Sequence, residues 1–166
     1  MLPENKKELD SLMHRYSEDM AGLKVRKEQI KVALDAFATA FEKLKHEVIW
    51  PTVVDVGNQL NQYGHDYHVD EAEENVDATA HFQPASITLN IYPARLDQSN
   101  RKPECAPYIS FVANRYAQKV SVMVSTMMPN EGGVIGSHGE YRPDQLTAKF
   151  VEKEIIEVLK NTLIFH

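Results

Sequence analysis

"LDSLMHRYSEDMAGLKVRKEQIKVALDAFATAFEKLKHEV", residues 9–48, decides how the chain is read. Apolar side chains recur in steps of four and three: Leu9, Met13, Tyr16, Met20, Leu23, Ile30, Leu34, Phe37, Phe41, Leu44 and Val48. Lys27 is the single interruption. This spacing keeps one stripe on one side of a helix and predicts a continuous helix with heptad character. At 1.5 Å per residue the stretch is about 60 Å long. A compact body made from the rest of the chain is only about 35 Å across. About half of the helix therefore outruns its own domain and needs cover from elsewhere.

The two halves of this segment differ. Ala33, Ala36, Ala38 and Ala40 widen the low-polarity surface of the second half, as suits packing on a globular core. The first half keeps a narrow stripe among charges, as suits a helical partner. Leu9, Met13, Tyr16, Met20 and Leu23 are the expected self-association residues. Lys27 in the seam costs stability but can fix register or oligomer state. The alternative is a helical hairpin that turns at Gly22, since glycine weakens a helix by about 1 kcal/mol relative to alanine. The apolar phase runs through Met20 and Leu23 without a slip, which favours the unbroken helix.

After Val48 the phase moves by one residue, to Ile49, Val53, Val56, Leu60 and Tyr63, with Pro51 at the shift. Proline removes an amide donor, so a kink or short break is expected there, followed by a second helix to about Gln62 and a left-handed cap at Gly64. From residue 65 the period falls to two. "HDYHVDE" is the candidate first strand. "SITLNIY", "YISFVAN" and "KVSVMVS" alternate cleanly, and a further strand is expected over about Gly133–Tyr141. Thr147 is the expected N-cap of a C-terminal helix with Val151, Ile155, Val158, Leu159 and Leu163 on its apolar side. The fold class is α+β: a long N-terminal helix, a kinked second helix, an antiparallel meander of about four to five strands, and a C-terminal helix on one sheet face. The division is a coiled-coil-like helix over 1–50 and a two-layer domain over 51–166.

Composition bounds the function. The chain has 166 residues, a net charge of −6 and one cysteine, Cys105, so no disulfide closes within it. No apolar run approaches the ~20 residues of a membrane helix, and the polar start lacks a signal-peptide core. A cytoplasmic setting without membrane contact is expected. Residues 51–100 hold eight acidic residues and one basic residue, which places the negative field in the middle of the chain. Lys24, Arg26, Lys27 and Lys31 form a basic cluster, but they point in several directions around a helix, so nucleic-acid binding is not expected.

Site motifs are sparse. "NQLNQYGHDYHVDEAEENVD", residues 58–77, holds histidines among carboxylates. On a strand, His65, Tyr67 and Val69 face one way and Asp66, His68 and Asp70 the other. A metal set then needs Asp66 and His68 joined by His138 or Glu140 from another strand. The alternative packs His65 and Tyr67 at the sheet margin and leaves the acidic groups solvated. An EF-hand loop counted from Asp70 fails, because Asn75 and His81 stand where glycine and glutamate are required. "NEGGVIGSHGEY" lacks the end of a phosphate loop; Asn130, Gly132 and Gly133 read as turn chemistry, and Gly136 and Gly139 mark a bulge or a close backbone approach. His138 and Glu140 would share one strand face. No nucleophile elbow or HExxH is present, and no family signature can be quoted. The expectation is a non-enzymatic assembly protein: a homo-oligomer, most simply a dimer, joined through the N-terminal helix, without a cofactor. One alternative is a metal-assisted enzyme near Asp66, His68 and His138. Another is a small-ligand module on the second sheet face, made of Thr88, Asn90, Tyr92, Ser110, Val112, Asn114, Ser121, Met123 and Ser125.

Overall fold

The computed structural model describes residues 1–164. By contacts the chain divides into two compact units, Met1–Ala36 and a second that begins at Phe37. The first helix, α1, spans Pro3–Leu44 and passes through Gly22 without interruption, so the hairpin alternative does not occur. Nothing lies within 4 Å of the place where a Cβ on Gly22 would stand. Every residue from 1 to 32 is exposed.

Within the second unit, the last two turns of α1 bury Phe37, Phe41 and Leu44. The kink or short break expected at Pro51 takes the form of a π-helical turn. Lys45–Ile49 form one π-helical turn, in which the Trp50 amide donates to the Lys45 carbonyl five residues back. α2 then runs Trp50–Gln62 with proline in its first turn. A π turn inserts one residue into the helical count. This is the physical origin of the one-residue slip in the apolar phase, and it lets helix continue where Pro51 has no amide to give. The Thr52 hydroxyl donates to the Val48 carbonyl at 2.7 Å, supplying a donor at the irregularity. Gly64, at φ +87°, closes α2 as its position required.

The strands are β1 (Asp66–Ala72), β2 (Asn75–Val76), β3 (Phe82–Gln83), β4 (Ser86–Tyr92), β5 (Tyr108–Asn114), β6 (Lys119–Ser125) and β7 (Ile135–Tyr141). Five of them form an antiparallel sheet in the order β1-β4-β5-β6-β7, and β2 pairs β3 in a small exposed hairpin inserted between β1 and β4. The last helix, α3 (Ala148–Leu163), starts at Thr147, whose Oγ1 accepts from the Phe150 amide. One sheet face carries Ile87, Leu89, Ile91, Ile109, Phe111, Val120, Val122 and Val124. These meet Ile49, Val53 and Leu60 of the first helical layer and Val151, Ile155 and Val158 of α3. The α+β architecture is thus a two-layer sandwich with a single main core.

The second sheet face is less open than alternation alone implies. Asn90, Tyr92, Ser110 and Ser125 are all buried. Tyr92 forms a satellite cluster with Leu96 and Ala106 of the 93–107 connection and with Met128. Arg95 fastens this cover, donating to the Thr162 carbonyl at 2.6 Å and pairing with Glu131 at 3.1 Å.

Candidate functional site

The metal candidates sit apart. His68 is on β1 and His138 on β7, the two edges of the five-stranded sheet. Four strand spacings of about 4.8 Å separate the edges by about 19 Å, far beyond shared coordination of one ion. His68 Nε2 lies 2.8 Å from Asp70 Oδ1, and Asp70 Oδ2 accepts from the buried Asn90 amide at 2.9 Å. Asp66 caps the Tyr67 amide at 2.8 Å and lies 3.9 Å from Arg101. These charges line a sheet edge, where they discourage pairing with a foreign strand. On the other side of β1, Tyr67 packs towards the core over Gly57, and its hydroxyl donates to Asn58 at 2.9 Å. Burial, followed by the negative field of Asp70, Asp66 and Glu104, holds the Tyr92 phenol above its usual pKa.

His138 and Glu140 do not share a face. The β6–β7 register shifts between Val122 and Met123, and His138 is the extra residue. Gly139 stands beside it at φ +121°. His138 Nδ1 meets Glu154 of α3 at 3.2 Å, whereas Glu140 turns to Asn114 and Ser121. The bulge also blunts the second sheet edge. Asp77 accepts from the Thr79 hydroxyl and the amides of Thr79 and His81, bonds that hold its pKa low and close the β2–β3 hairpin.

A charged constellation around Lys45 was not anticipated from the sequence. The Lys45 side chain, on the π turn, has zero solvent exposure. Its ammonium lies 2.9 Å from Glu71 of β1 and 3.1 Å from Glu42 of α1. It also stands 6.0 Å from the centre of the Phe41 ring. Burial alone lowers the pKa of an ammonium, but the hydrogen bonds to Glu71 and Glu42 and the attraction of both carboxylates outweigh it. The net pKa is raised above 10.5. Lys45 is therefore a buried cation. His46 joins from the solvent side, 3.4 Å from Glu42 and 3.7 Å from Glu71. Glu42, His46 and Glu71 offer ligand atoms within 4.8 Å of one another, so this trio has metal-binding chemistry. Both carboxylates already face the Lys45 charge, which an incoming cation would have to meet. The missed signal was the four-residue series Phe41, Lys45, Ile49, Val53, in which a lysine takes a core place once the π turn is allowed.

The self-association candidates form an uncovered seam. Leu9, Met13, Tyr16, Met20 and Leu23 are 39–59% exposed, and Ile30 is 53% exposed. All of them project from one continuous helix at seam spacing. On the second sheet face, a depression of about 430 Å³ is bordered by Tyr108, Ser125, Met127, Met128 and Ile135. No helix among the described residues is long and apolar enough to cross a membrane. Comparison with protein-family models, with curated proteins and with solved structures finds no match.

Proposed function

We propose that the protein is a non-enzymatic assembly module that self-associates, as a dimer, through the N-terminal helix. One observation carries the reading: a heptad seam of large apolar side chains stands exposed along residues 9–30. Single exposed apolar residues are ordinary, but a contiguous stripe with a fixed period marks a helix-pairing surface. The partner is a second copy of the chain, and a reducing, cytoplasmic setting suits the lone Cys105. Light scattering over a dilution series tests the proposal. A dimer mass that falls towards monomer on dilution supports it; a monomer at every concentration up to hundreds of micromolar refutes it.

A second reading uses the depression on the second sheet face, whose apolar walls and few polar groups suit a small ligand. A thermal-shift screen tests it, and a Met128→Lys variant should abolish any stabilisation found.

A further inference from the structure

Resting on the self-association proposal, we infer that the two helices pair antiparallel, with the twofold axis between Ala21 and Gly22. The charges on the seam margins carry the argument. With Met13, Met20, Lys27 and Leu34 at the first core position of each heptad and Leu9, Tyr16, Leu23 and Ile30 at the second, the flanking positions are fixed. One flank bears Asp10, Ser17, Lys24 and Lys31; the other bears Leu12, Asp19, Arg26 and Ala33.

In a parallel pair, each core position meets its own copy. Lys27 then faces the partner's Lys27, two ammonium groups in one apolar layer. Arg26 comes beside the partner's Lys31, and Asp19 beside the partner's Lys24 is the one attractive contact. In the antiparallel pair, first core positions meet second ones. Met20 packs on the partner's Leu23, Met13 on the partner's Ile30, and Leu9 on the partner's Leu34. Lys27 lies against the partner's Tyr16, a ring that accepts both its aliphatic stem and its charge. On the margins Asp10 meets the partner's Lys31, and Asp19 meets the partner's Arg26. Each contact occurs twice by symmetry, and none joins like charges.

Register follows from the same residues. Sliding the antiparallel pair by a heptad one way sets Asp19 against the partner's Asp19. Sliding it the other way sets Arg26 against the partner's Arg26 and Lys24 against the partner's Lys24. Of these three registers, only the one centred between residues 21 and 22 avoids every like-charge contact, and it overlaps the seam along its whole length. It also lays an acidic half on a basic half: residues 1–19 hold five acidic and three basic side chains, and residues 20–34 hold four basic and one acidic. None of Asp10, Asp19, Lys24, Arg26 and Lys31 has an ion-pair partner among the described residues, so all are available to the second copy. The overlap from Leu9 to Leu34 approaches four heptads, enough for a stable two-stranded coil.

Two measurements on the full chain test this. Spin labels on Asn5→Cys, in a Cys105→Ser background, stand 33 residues apart along an antiparallel pair, about 50 Å at 1.5 Å per residue. In a parallel pair they lie within about 20 Å, set by the 8–10 Å between helix axes plus the label arms. Arg26→Glu has opposite effects in the two arrangements. It should weaken the antiparallel dimer about tenfold by facing the partner's Asp19, and tighten a parallel one by facing the partner's Lys31. Adding Asp19→Arg should restore the antiparallel affinity to within about threefold. A dimer with the short distance, tightened by Arg26→Glu, overturns the antiparallel pairing while keeping self-association. A chain that stays monomeric overturns the self-association proposal itself.

Discussion

Lys45 Nζ lies 2.9 Å from Glu71 Oε1, joining the π-helical turn to the first strand by a cation with no exposed surface. Glu42 completes the clamp from one turn earlier in α1. The interaction ties two elements far apart in sequence at a place where the helix has departed from its regular count. A buried ion pair often adds little net stability over an apolar pair, yet breaking one by removing a single partner is costly.

Lys45→Ala should lower unfolding stability by about 3 kcal/mol, because it opens a cavity and leaves two carboxylates facing each other. Lys45→Met keeps most of the volume and should cost about half as much. Urea unfolding measures both. Equal stability of wild type and Lys45→Ala would mean that the clamp does not form.

Alkaline stability follows from the same residue. Its pKa is raised in the folded chain, so the folded state holds the proton more tightly than the unfolded one. The resulting stabilisation is complete below pH 10.5, the value in the unfolded chain, and drains away as pH rises through the higher folded value. Tyr92 acts in the same direction, its folded pKa lying above 10.0. Urea midpoints measured from pH 8 to 12 should fall steeply at the alkaline end. The fall should be shallower in Lys45→Met and in Tyr92→Phe.

Gly57→Ala should cost about 1–3 kcal/mol. The added Cβ would stand 2.5 Å from the Tyr67 ring, which fills that space between α2 and β1. Adding Tyr67→Leu to Gly57→Ala should recover part of the loss, because the branched chain vacates the contested volume. Thermal melts of the two variants give the comparison.

Met20→Asp should weaken self-association at least tenfold by placing a charge in the central layer. The circular dichroism signal of the sheet unit should be unchanged, since Met20 is exposed and lies outside the main core. Loss of the sheet signal in this variant would show that the helix supports folding rather than assembly.

Chelation is expected to leave the melting temperature unchanged, with no stoichiometric transition metal in protein purified without added ions. His68 and His138 are on opposite sheet edges, and Lys45 already supplies a positive charge between Glu42 and Glu71. Elemental analysis is the measurement. A stoichiometric metal lost in His46→Ala would instead assign the Glu42–His46–Glu71 trio as its site.

Local pattern determined most of the architecture. The four-three spacing of Leu9 to Val48 encodes α1, the two-residue alternation of "SITLNIY" and its neighbours encodes the strands, and Gly64 and Thr147 mark helix ends, because each is a choice made by neighbouring residues. The one-residue phase slip near Pro51 was also visible, but a slip is compatible with a break, a kink or a π turn. Tertiary packing chose the π turn, since only that turn carries Phe41, Ile49 and Val53 onto one core without interrupting the helix. The same choice buried Lys45, which no local rule places inside. A charged side chain enters a core only when distant groups meet it, and Glu71 reaches it through strand pairing. Cover on the second sheet face is tertiary for a like reason: alternation sets which way Tyr92 points, while the 93–107 connection packing on it decides whether water reaches the ring. His138 left the face of Glu140 because a bulge depends on register with β6, a relation between strands that neither strand states alone.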